Sequence, residues 1–461
     1  MLFKGFVCYY VIKIFINKFA EVKIMSSYKV KKTDGDMGWF MHDRLGMFIH
    51  FGLYSMPARH EWVKSVEKIS EEHYDKYFEH FNPDKFDAKE WAKKAKAAGM
   101  KYAVMTAKHH EGFCMFDSKY TDYKSTNTPA KRDFIKEYVE AFRAEGLKVG
   151  IYYSLIDWHH PDYQIDIFHP RRAEPWAEEA NKTRDMVKYR EYMFNQVREL
   201  LTNYGKIDII WFDFTYPTMD SIRNEYNQFA IRDYKEWMPW TDTTTWDSPN
   251  LIKMIREINP DIIINNRTGI PQDITTPEQT LTADWPKFPG TDELYAWEAC
   301  QTFSGSWGYY RDEMSWKTPE MLIRMLLNSV SGGGNLIMNV GPTSRGNFDK
   351  RADNALNVFA EWMDLNGRSI YGCTKAEPEF TAPAGTILTQ SEDEKRLYIH
   401  LIDYPYSALK MGNMAGKIKY AQLLHDGSEV QIREKADGMV TFLTPGIKPD
   451  QVITVIEVFL K

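Results

Sequence analysis

The sequence predicts an α/β protein built as a (β/α)8-like TIM barrel with one irregular segment, followed by a small C-terminal antiparallel β-sandwich. Between residues 40 and 370, short and continuously apolar runs alternate with amphipathic helical patterns. This alternation is typical of a parallel sheet covered by helices on both faces. After residue 372 the helical patterns cease. A doubly wound dinucleotide-binding sheet is disfavoured, because no glycine-rich fingerprint follows the first apolar run.

The apolar runs of the first region are the predicted barrel strands. They are GMFIHFG (46–52), KYAVMTAKHH (101–110), KVGIYYS (148–154), IDIIWFD (207–213), DIIINNR (261–267), LYAWEAC (294–300) and NLIMNVG (335–341). Between them, DAKEWAKKAKAAG starts at Asp87 and ends at Gly99, and RDMVKYREYMFNQVRELLTNYG ends at Gly205, as amphipathic helices do. Seven strands are one short of a closed eightfold barrel. No clear helix follows residue 268, so we expect an irregular segment there.

The C-terminal region carries the signals of an antiparallel domain. Its strand-like runs are RLYIHLID, KIKYAQLLHDGSEVQIRE, GMVTFLTP and QVITVIEVFL. Asp-Gly turn signals stand at 426–427 and at 437–438. We therefore assign residues 26–370 to the barrel and residues 371–461 to the β-sandwich. Residues 1–25 are apolar and basic, and we interpret them as an N-terminal extension that precedes the functional part of the protein.

Composition and charge exclude several classes of function. The net charge of −6 offers no basic surface for nucleic acid. Residues 1–25 are too short and too charged for stable membrane insertion. A cytoplasmic location is favoured, and secretion is the alternative if this segment is a signal. No C-x-x-C pair occurs among Cys8, Cys114, Cys300 and Cys373, so we expect neither a zinc site nor a disulfide framework, and no cofactor.

Polar and aromatic side chains collect at the C-terminal ends of the predicted strands, where a barrel builds its active site. They are His50, His109, His110, Tyr152, Tyr153, Asp157, Trp158, Trp211, Asp213, Asn265, Arg267 and Glu298. One such strand end would mean little, but five or six predict a common site. The adjacent pair His109 and His110 points to opposite sides of a strand, so hydrogen bonding to hydroxyl groups suits it better than metal binding.

Asp213 is the first candidate for a catalytic group. It ends an apolar strand among Trp211, Phe212 and Phe214, and a carboxylate in such surroundings needs a cation or hydrogen bonds. A structural role, as a helix N-cap or as a partner of Arg267, is one interpretation. The other is a nucleophile that the arginine keeps ionised at the mouth of the barrel.

A glycoside hydrolase needs a second carboxyl group as its acid/base. Glu278 lies in the polar loop DITTPEQT after the fifth strand, from which a proton donor could reach the pocket. Glu298 lies in the apolar segment AWEACQT, where burial would raise its pKa and suit it to acid work. Spacing alone does not decide between the two.

Six blocks of sequence carry a resemblance to a known family. They are DRLGMFIHFGLYSMPA with the following Glu61 and Trp62, KYAVMTAKHHEGFCMFDS, GIYYSLIDWHHPDY, DIIWFDF, IIINNR and WEACQTFSGSWGY. In this order they resemble the α-L-fucosidases of glycoside hydrolase family 29, over roughly residues 36–370. The C-terminal region resembles the β-sandwich of that family only in length and pattern.

The resemblance implies roles for individual residues. It implies Asp213 as the nucleophile, and it favours Glu278 over Glu298 as the acid/base. The implied sugar-binding residues are His50, Glu61, Trp62, His109, His110, one of Tyr152 and Tyr153, Trp211, Arg267 and Trp307, the last of these packing on the fucose methyl group. The resemblance does not decide between Tyr152 and Tyr153. Phe51 and Phe214 depart from the residues usual at their positions in the family.

The function predicted on this basis is a retaining, exo-acting α-L-fucosidase, and the expected partner is a fucosylated oligosaccharide or glycoconjugate. Two alternatives keep the barrel and the sugar. One is a metal-dependent sugar hydrolase or isomerase with His50, His109, His110 and Asp213 as ligands, and the other is a non-catalytic carbohydrate-binding protein. The aromatic-rich residues 235–247 offer a surface for a homo-oligomer, and the alternative is that they form a rim of the pocket.

Overall fold

The structure is a computed structural model, and it describes residues 28–221, 234–282, 284–449 and 451–461. The predicted N-terminal extension, residues 1–25, lies outside these ranges. No helix within them is long and apolar enough to cross a membrane.

Parallel strands form the sheet of the first region. They are β1 Leu45–Ile49, β2 Tyr102–Lys108, β3 Lys148–Ser154, β4 Ile209–Asp213, β5 Ile263–Ile264, β6 Glu298–Thr302 and β7 Asn335–Val340. Hydrogen-bonded neighbours follow the order β5-β4-β3-β2-β1-β7-β6. Nearly every strand residue is buried, as continuous apolar runs predict for strands covered on both faces.

An irregular segment, residues 274–278, fills the gap between β5 and β6. Isolated parallel bridges hold it on both sides, joining Asn265 to Ile274, Thr275 to Trp297, and Glu278 to Cys300. The segment takes the place of an eighth strand and completes the ring around the barrel interior. The predicted barrel with one irregular segment is therefore confirmed, and the irregular segment is the one that carries Glu278.

Strand β5 is shorter than the apolar run predicts, because a side chain replaces part of its backbone pairing. The Asn265 amide accepts a hydrogen bond from Phe212 N at 3.0 Å and donates one to Phe212 O at 2.9 Å. The chain then enters a short 3-10 helix, Asn266–Thr268. This turn carries Arg267 to the C-terminal end of the barrel.

Strand β6 begins four residues later than the start of the predicted run at residue 294. Leu294 pairs outside the sheet instead, with Val30 and Lys287. Glu298 consequently opens the strand and lies at its N-terminal end. The prediction that Glu298 stands at the C-terminal end of a strand is wrong.

Helices cover the outside of the barrel. They are α1 Met37–Asp43, α2 Val63–Val66, α3 Glu71–His80, α4 Ala88–Ala97, α5 Phe134–Ala144, α6 Ala177–Asn181, α7 Met186–Thr202, α8 Thr243–Trp246, α9 Ser248–Ile258, α10 Pro319–Ser331 and α11 Lys350–Asn366. The two helices with the clearest sequence pattern correspond to α4 and α7. Each follows a capping aspartate, Asp87 or Asp185, whose side chain accepts backbone N–H groups of the first turn.

Antiparallel strands form the C-terminal region. They are β8 Cys373–Lys375, β9 Thr386–Ser391, β10 Arg396–Leu401, β11 Ala408–Met411, β12 Ile418–Leu423, β13 Ile432–Glu434, β14 Val440–Leu443 and β15 Thr454–Leu460. They build a five-stranded sheet, β12-β15-β10-β9-β8, and a three-stranded sheet, β11-β14-β13. An apolar core drawn from both sheets lies between them, as the predicted β-sandwich requires.

Candidate active site

A cavity lies at the C-terminal end of the barrel. Its lining residues are Phe48, His50, Glu61, Trp62, His109, His110, Tyr152, Trp211, Asp213, Phe214, Glu278, Cys300 and Trp307. All of them except Phe48, Phe214 and Cys300 are site residues that the sequence predicts. The fold therefore brings the predicted residues together from the C-terminal ends of β1 to β4, from the irregular segment, and from the loops after β1 and β6.

Asp213 and Glu278 meet at one arginine. Arg267 Nη1 lies 2.8 Å from Asp213 Oδ1 and 2.9 Å from Glu278 Oε2. These two carboxyl oxygens are therefore no farther apart than the sum of the two distances, 5.7 Å. Retaining glycosidases hold their carboxyl groups about 5 to 5.5 Å apart, and inverting enzymes about 6.5 to 9.5 Å apart. The 5.7 Å bound lies below the range of inverting enzymes, so the separation of these oxygens favours double displacement.

Asp213 ends β4 and is held on both of its oxygens. Tyr152 OH donates to Oδ2 at 2.9 Å, while Arg267 and the Phe214 N–H donate to Oδ1 at 2.8 and 3.0 Å. The pKa of Asp213 is raised above its ordinary value, because burial and the nearby Glu278 carboxylate raise it by more than Arg267 and the hydrogen-bond donors lower it. The three donors stabilise the ionised form in a site largely removed from water, and a nucleophile has to be ionised.

The residue after each of these carboxyls has a positive φ, 77° at Phe214 and 52° at Gln279. Residues other than glycine seldom adopt this conformation, and such strain concentrates at functional sites. After Asp213, the turn aims the Phe214 N–H at the carboxylate. After Glu278, Gln279 is anchored to β6, since its N–H donates to Cys300 O and its amide to Thr302 Oγ1, both at 3.0 Å.

Two histidines present a ring nitrogen to the cavity in a defined tautomer. His50 Nδ1 lies 2.6 Å from Asn339 Oδ1, and the Asn339 amide donates to Trp307 O. His110 Nδ1 lies 2.7 Å from Ser154 Oγ, whose own proton goes to a backbone carbonyl. Burial lowers the pKa of both rings well below the ordinary histidine value. Each neutral ring therefore donates through Nδ1, which leaves Nε2 as an acceptor for a hydroxyl group.

His109 and Glu61 complete the polar part of the lining. His109 Nδ1 lies 3.4 Å from Glu111 Oε2, and both atoms are buried. Glu61 Oε2 accepts a hydrogen bond from the Gly308 N–H at 2.8 Å. This bond ties the segment after β1 to the loop that carries Trp307.

Aromatic rings form the walls of the cavity. Trp211 stacks on Tyr152 with 5.7 Å between the ring centroids, and the Arg267 guanidinium lies 4.7 Å from the Trp211 ring centroid. Trp62 packs against Phe214, and Trp307 packs against His50. The cavity therefore combines hydrogen-bonding groups with apolar ring faces, as small-molecule binding sites do.

Three lining residues were not among the predicted site residues. Phe48 stands two residues before His50 on β1, and Cys300 stands two residues after Glu298 on β6. The two-residue period of a strand places each of these pairs on one face, so that period was the available signal. Phe214 follows the end of β4, and only the turn of its backbone brings it to the lining.

Two predicted residues lie elsewhere. Tyr153 points away from the barrel interior, where its hydroxyl donates to Gln196 Oε1 at 2.8 Å on α7, so Tyr152 is the tyrosine of this pair that lines the cavity. Glu298 is fully buried at the N-terminal end of β6 and accepts a hydrogen bond from Tyr102 OH at 2.5 Å. It does not line the cavity, which places Glu278 and not Glu298 beside Asp213.

In the part of the chain that the structure describes, no three side chains among His, Cys, Asp and Glu are grouped to hold a metal ion. The barrel and its paired carboxyls instead define a glycoside hydrolase of the retaining type. Comparison with known proteins identifies the family. The family model described as alpha-L-fucosidase matches residues 18–368, so the chain belongs to the alpha-L-fucosidase family, and the resemblance seen in the sequence is confirmed.

Relatives and solved structures agree with this assignment. Human plasma alpha-L-fucosidase is 29% identical over 397 residues, covering 80% of this chain and 76% of the relative. Alpha-L-fucosidase isoenzyme 1 from Paenibacillus thiaminolyticus is 43% identical with a TM-score of 0.82, covering 92% of this chain and 98% of that one. A Bacteroides thetaiotaomicron family 29 alpha-L-fucosidase, trapped as a covalent intermediate with 2-fluoro-fucosyl fluoride, is 29% identical with a TM-score of 0.76 and covers 95% of this chain and 99% of that one.

Proposed function

We propose that the protein is an exo-acting, retaining α-L-fucosidase with Asp213 as the nucleophile and Glu278 as the acid/base. The observation that carries this proposal is the contact of one Arg267 nitrogen with both carboxyl groups, at 2.8 and 2.9 Å. Family membership supports the choice of sugar. The separation of the carboxyls supports the choice of mechanism.

The reaction takes place in two displacements. In the first, an Asp213 oxygen bonds to the anomeric carbon while the glycosidic bond breaks, and the departing oxygen takes the proton of Glu278. In the second, the Glu278 carboxylate takes a proton from water, whose oxygen bonds to the anomeric carbon while the bond to Asp213 breaks. Two inversions leave the configuration of the sugar unchanged.

The lining of the cavity supports fucose as the sugar. The Nε2 atoms of His50 and His110 accept hydrogen bonds from sugar hydroxyls, and Glu61 and His109 add further polar contacts. Trp307 provides an apolar face for the methyl group that distinguishes fucose from sugars with a hydroxymethyl group. A pocket without this apolar wall would favour a fully hydroxylated ring.

A second cavity beside the first supports a substrate with a bulky leaving group. Its lining comes from three chain segments, and includes Phe214, Thr215, Tyr216, Asn266, Arg267, Thr275, Thr276 and Pro277. Residues 275–277 directly precede Glu278, whose proton goes to the leaving oxygen. The hydroxyl and amide groups there suit a second sugar, and the proposed partner is accordingly a fucosylated oligosaccharide or glycoconjugate.

We also propose a location and an assembly state for the protein. The described cysteines, Cys114, Cys300 and Cys373, are free thiols, which supports the cytoplasm, where thiols stay reduced, with secretion as the alternative location. Assembly into a homo-oligomer is the other proposal, and size measurement in solution tests it.

The choice of substrate is tested with the purified protein and a panel of aryl glycosides. We expect turnover of the aryl α-L-fucoside and little or none of the α-L-galactoside, which carries a hydroxymethyl group in place of the methyl group. Proton NMR of the first product should show α-L-fucose before mutarotation. An initial β-anomer would exclude double displacement, and inactivity on every fucoside would exclude the substrate.

The two carboxyl assignments are tested by azide rescue. Asp213→Ala and Glu278→Ala should each lose at least 100-fold in kcat on an aryl fucoside with a poor leaving group. Azide should restore turnover of an activated fucoside in both variants, giving β-fucosyl azide with Asp213→Ala and α-fucosyl azide with Glu278→Ala. Glu298→Ala is the comparison, and formation of α-fucosyl azide by this variant and not by Glu278→Ala would transfer the acid/base role to Glu298.

A further inference from the structure

A row of buried polar side chains crosses the barrel interior on the N-terminal side of the cavity. Its members, each at most 2% exposed, are Arg44, Asn335, Tyr102, Glu298 and Trp211. Apolar residues such as Phe48, Ile209 and Ile263 surround its inner part. Buried polar groups in such surroundings need defined hydrogen-bond partners, so the order of the donors and acceptors in this row follows from their contacts.

The hydrogen bonds from Arg44 to Glu298 all run in one direction, from donor to acceptor. Arg44 Nη1 donates to Asn335 Oδ1 at 3.4 Å, and Asn335 Nδ2 donates to the Tyr102 hydroxyl oxygen at 3.4 Å. Tyr102 is then left to donate its own proton to Glu298 Oε1, at 2.5 Å. A Cβ atom at Gly46 would lie 2.3 Å from the Tyr102 ring, so β1 has a glycine where this ring passes.

The row ends at the wall of the cavity. Burial raises the pKa of Glu298, and the Tyr102 and Trp211 side chains beside its carboxyl group lower it, so that the pKa is raised to about 7. Trp211 Nε1 and Glu298 Oε2 are both buried, and neither atom is within normal hydrogen-bond distance and angle of a partner among the described residues. A buried indole N–H requires an acceptor, and Oε2 is the one that this carboxyl group provides.

Trp211 in turn touches both groups that hold Asp213. Its ring stacks on Tyr152, whose hydroxyl donates to Asp213 Oδ2. Its other contact is with the Arg267 guanidinium, which donates to Asp213 Oδ1. A displacement of the Trp211 ring would therefore shift two of the three donors on the carboxylate.

We propose that Glu298 is a positioning residue of the active site: by accepting the Trp211 indole N–H, it fixes the ring against which Tyr152 and Arg267 are placed. The Glu298 side chain touches neither the sugar nor the reacting atoms. Its effect on catalysis passes through Trp211, and the activity part of its test rests on the proposed function.

Glu298→Gln is the first test, because it keeps the size of the side chain and removes one of its two acceptor oxygens. Tyr102 and Trp211 then compete for a single acceptor. We expect the Trp211 indole ¹H–¹⁵N resonance, identified with Trp211→Phe, to shift clearly. We also expect kcat on an aryl α-L-fucoside to fall about 10-fold or more with KM changed less than threefold, since the sugar-binding residues remain.

Glu199→Gln is the matched control. Glu199 is also a buried glutamate that accepts two hydrogen bonds, from Ser118 Oγ and Lys119 N, but it lies on α7 outside the barrel. We expect neither kcat nor the Trp211 resonance to move in this variant. A merely structural glutamate should behave like Glu199.

Tyr102→Phe is the second test and covers the case in which Glu298→Gln does not fold. It removes the second donor on the Glu298 carboxyl group and leaves the Oε2 acceptor in place. The charge of the carboxylate is then shared by one donor fewer, so the bond from the Trp211 N–H should strengthen and its resonance should move downfield, while kcat changes less than in Glu298→Gln. An unchanged Trp211 resonance in either folded variant would overturn the proposal, as would an unchanged kcat in folded Glu298→Gln. If the unmodified protein hydrolyses no fucoside, the proposed function fails, whereas the indole resonance still decides whether Glu298 holds Trp211.

Discussion

Arg267 resolves a conflict between the two carboxyl groups at the active site. The nearby Glu278 carboxylate raises the pKa of Asp213, yet the proposed mechanism needs Asp213 ionised at the start of the reaction. The guanidinium contacts both groups and stays protonated. Once Asp213 is esterified and its charge is gone, the same guanidinium can stabilise the charge that forms on Glu278. One arginine thus serves both displacements.

The ionisation of Glu298 should make stability depend on pH. Burial raises the pKa of Glu298 to about 7 in the folded protein, so the folded state binds this proton more tightly than the unfolded chain does. Its contribution to stability is therefore complete below the ordinary glutamate pKa of about 4.3, and is lost as the pH rises through 7. The loss is on the order of 3 kcal/mol for a shift of this size.

Urea unfolding of the unmodified protein and of Glu298→Gln between pH 4.5 and 8 measures this effect. The glutamine cannot ionise, so the variant should gain stability relative to the unmodified protein as the pH rises, and all other titrating groups cancel in the difference. A difference in the free energy of unfolding that stays constant with pH would mean that the pKa of Glu298 is not raised by folding.

At the scale of elements, a buried ion pair joins the ends of β2 and β3. Lys108 Nζ lies 3.0 Å from Asp157 Oδ2, and the two side chains are 0% and 1% exposed. The other Asp157 oxygen accepts the N–H groups of His159 and His160. The next residue, Trp158, donates its N–H to His110 O at 2.8 Å. The pair thereby fixes the loop behind the cavity histidines.

Asp157→Ala should destabilise the protein by about 3 to 5 kcal/mol, because it leaves the Lys108 ammonium buried without its partner. Asp84→Ala is the control, since it breaks the surface pair of Asp84 with Arg345, where water replaces the lost partner. We expect little or no change in that variant. Urea unfolding measures both, and equal effects would show that burial of the Lys108 pair does not matter.

The elements also show which parts of the fold the sequence could predict. Continuous apolar runs identified the strands, because burial on both faces depends on local composition. The start of β6 could not be predicted in this way, because the apolar run begins at Leu294, which pairs with the distant Val30 and not within the sheet. The alternation of side chains along a strand predicts that Tyr152 and Tyr153 face opposite sides of the sheet, but it does not predict which of them faces the barrel interior. That choice depends on the neighbouring strands and on α7, which the local sequence does not contain.

At the scale of the whole molecule, one apolar cluster extends across the two regions. The cluster that packs the barrel against its helices also contains Cys373, Tyr398, Ile453 and Val455 from the C-terminal region. Trp362 on α11 is buried in the same cluster, and its indole N–H donates to Ile453 O at 2.9 Å. Regions that share a core in this way should unfold together.

Trp362→Ala tests this coupling. Loss of the buried ring should cost about 3 to 5 kcal/mol, and the freed Ile453 carbonyl adds to this if water does not reach it. We expect one thermal transition in the unmodified protein and one transition at lower temperature in the variant, with the same midpoint by far-UV circular dichroism and by tryptophan fluorescence. Trp176→Ala, at a ring that is 43% exposed, should change the midpoint little. Two transitions, of which Trp362→Ala moves only one, would show that the barrel and the sandwich unfold independently despite their common core.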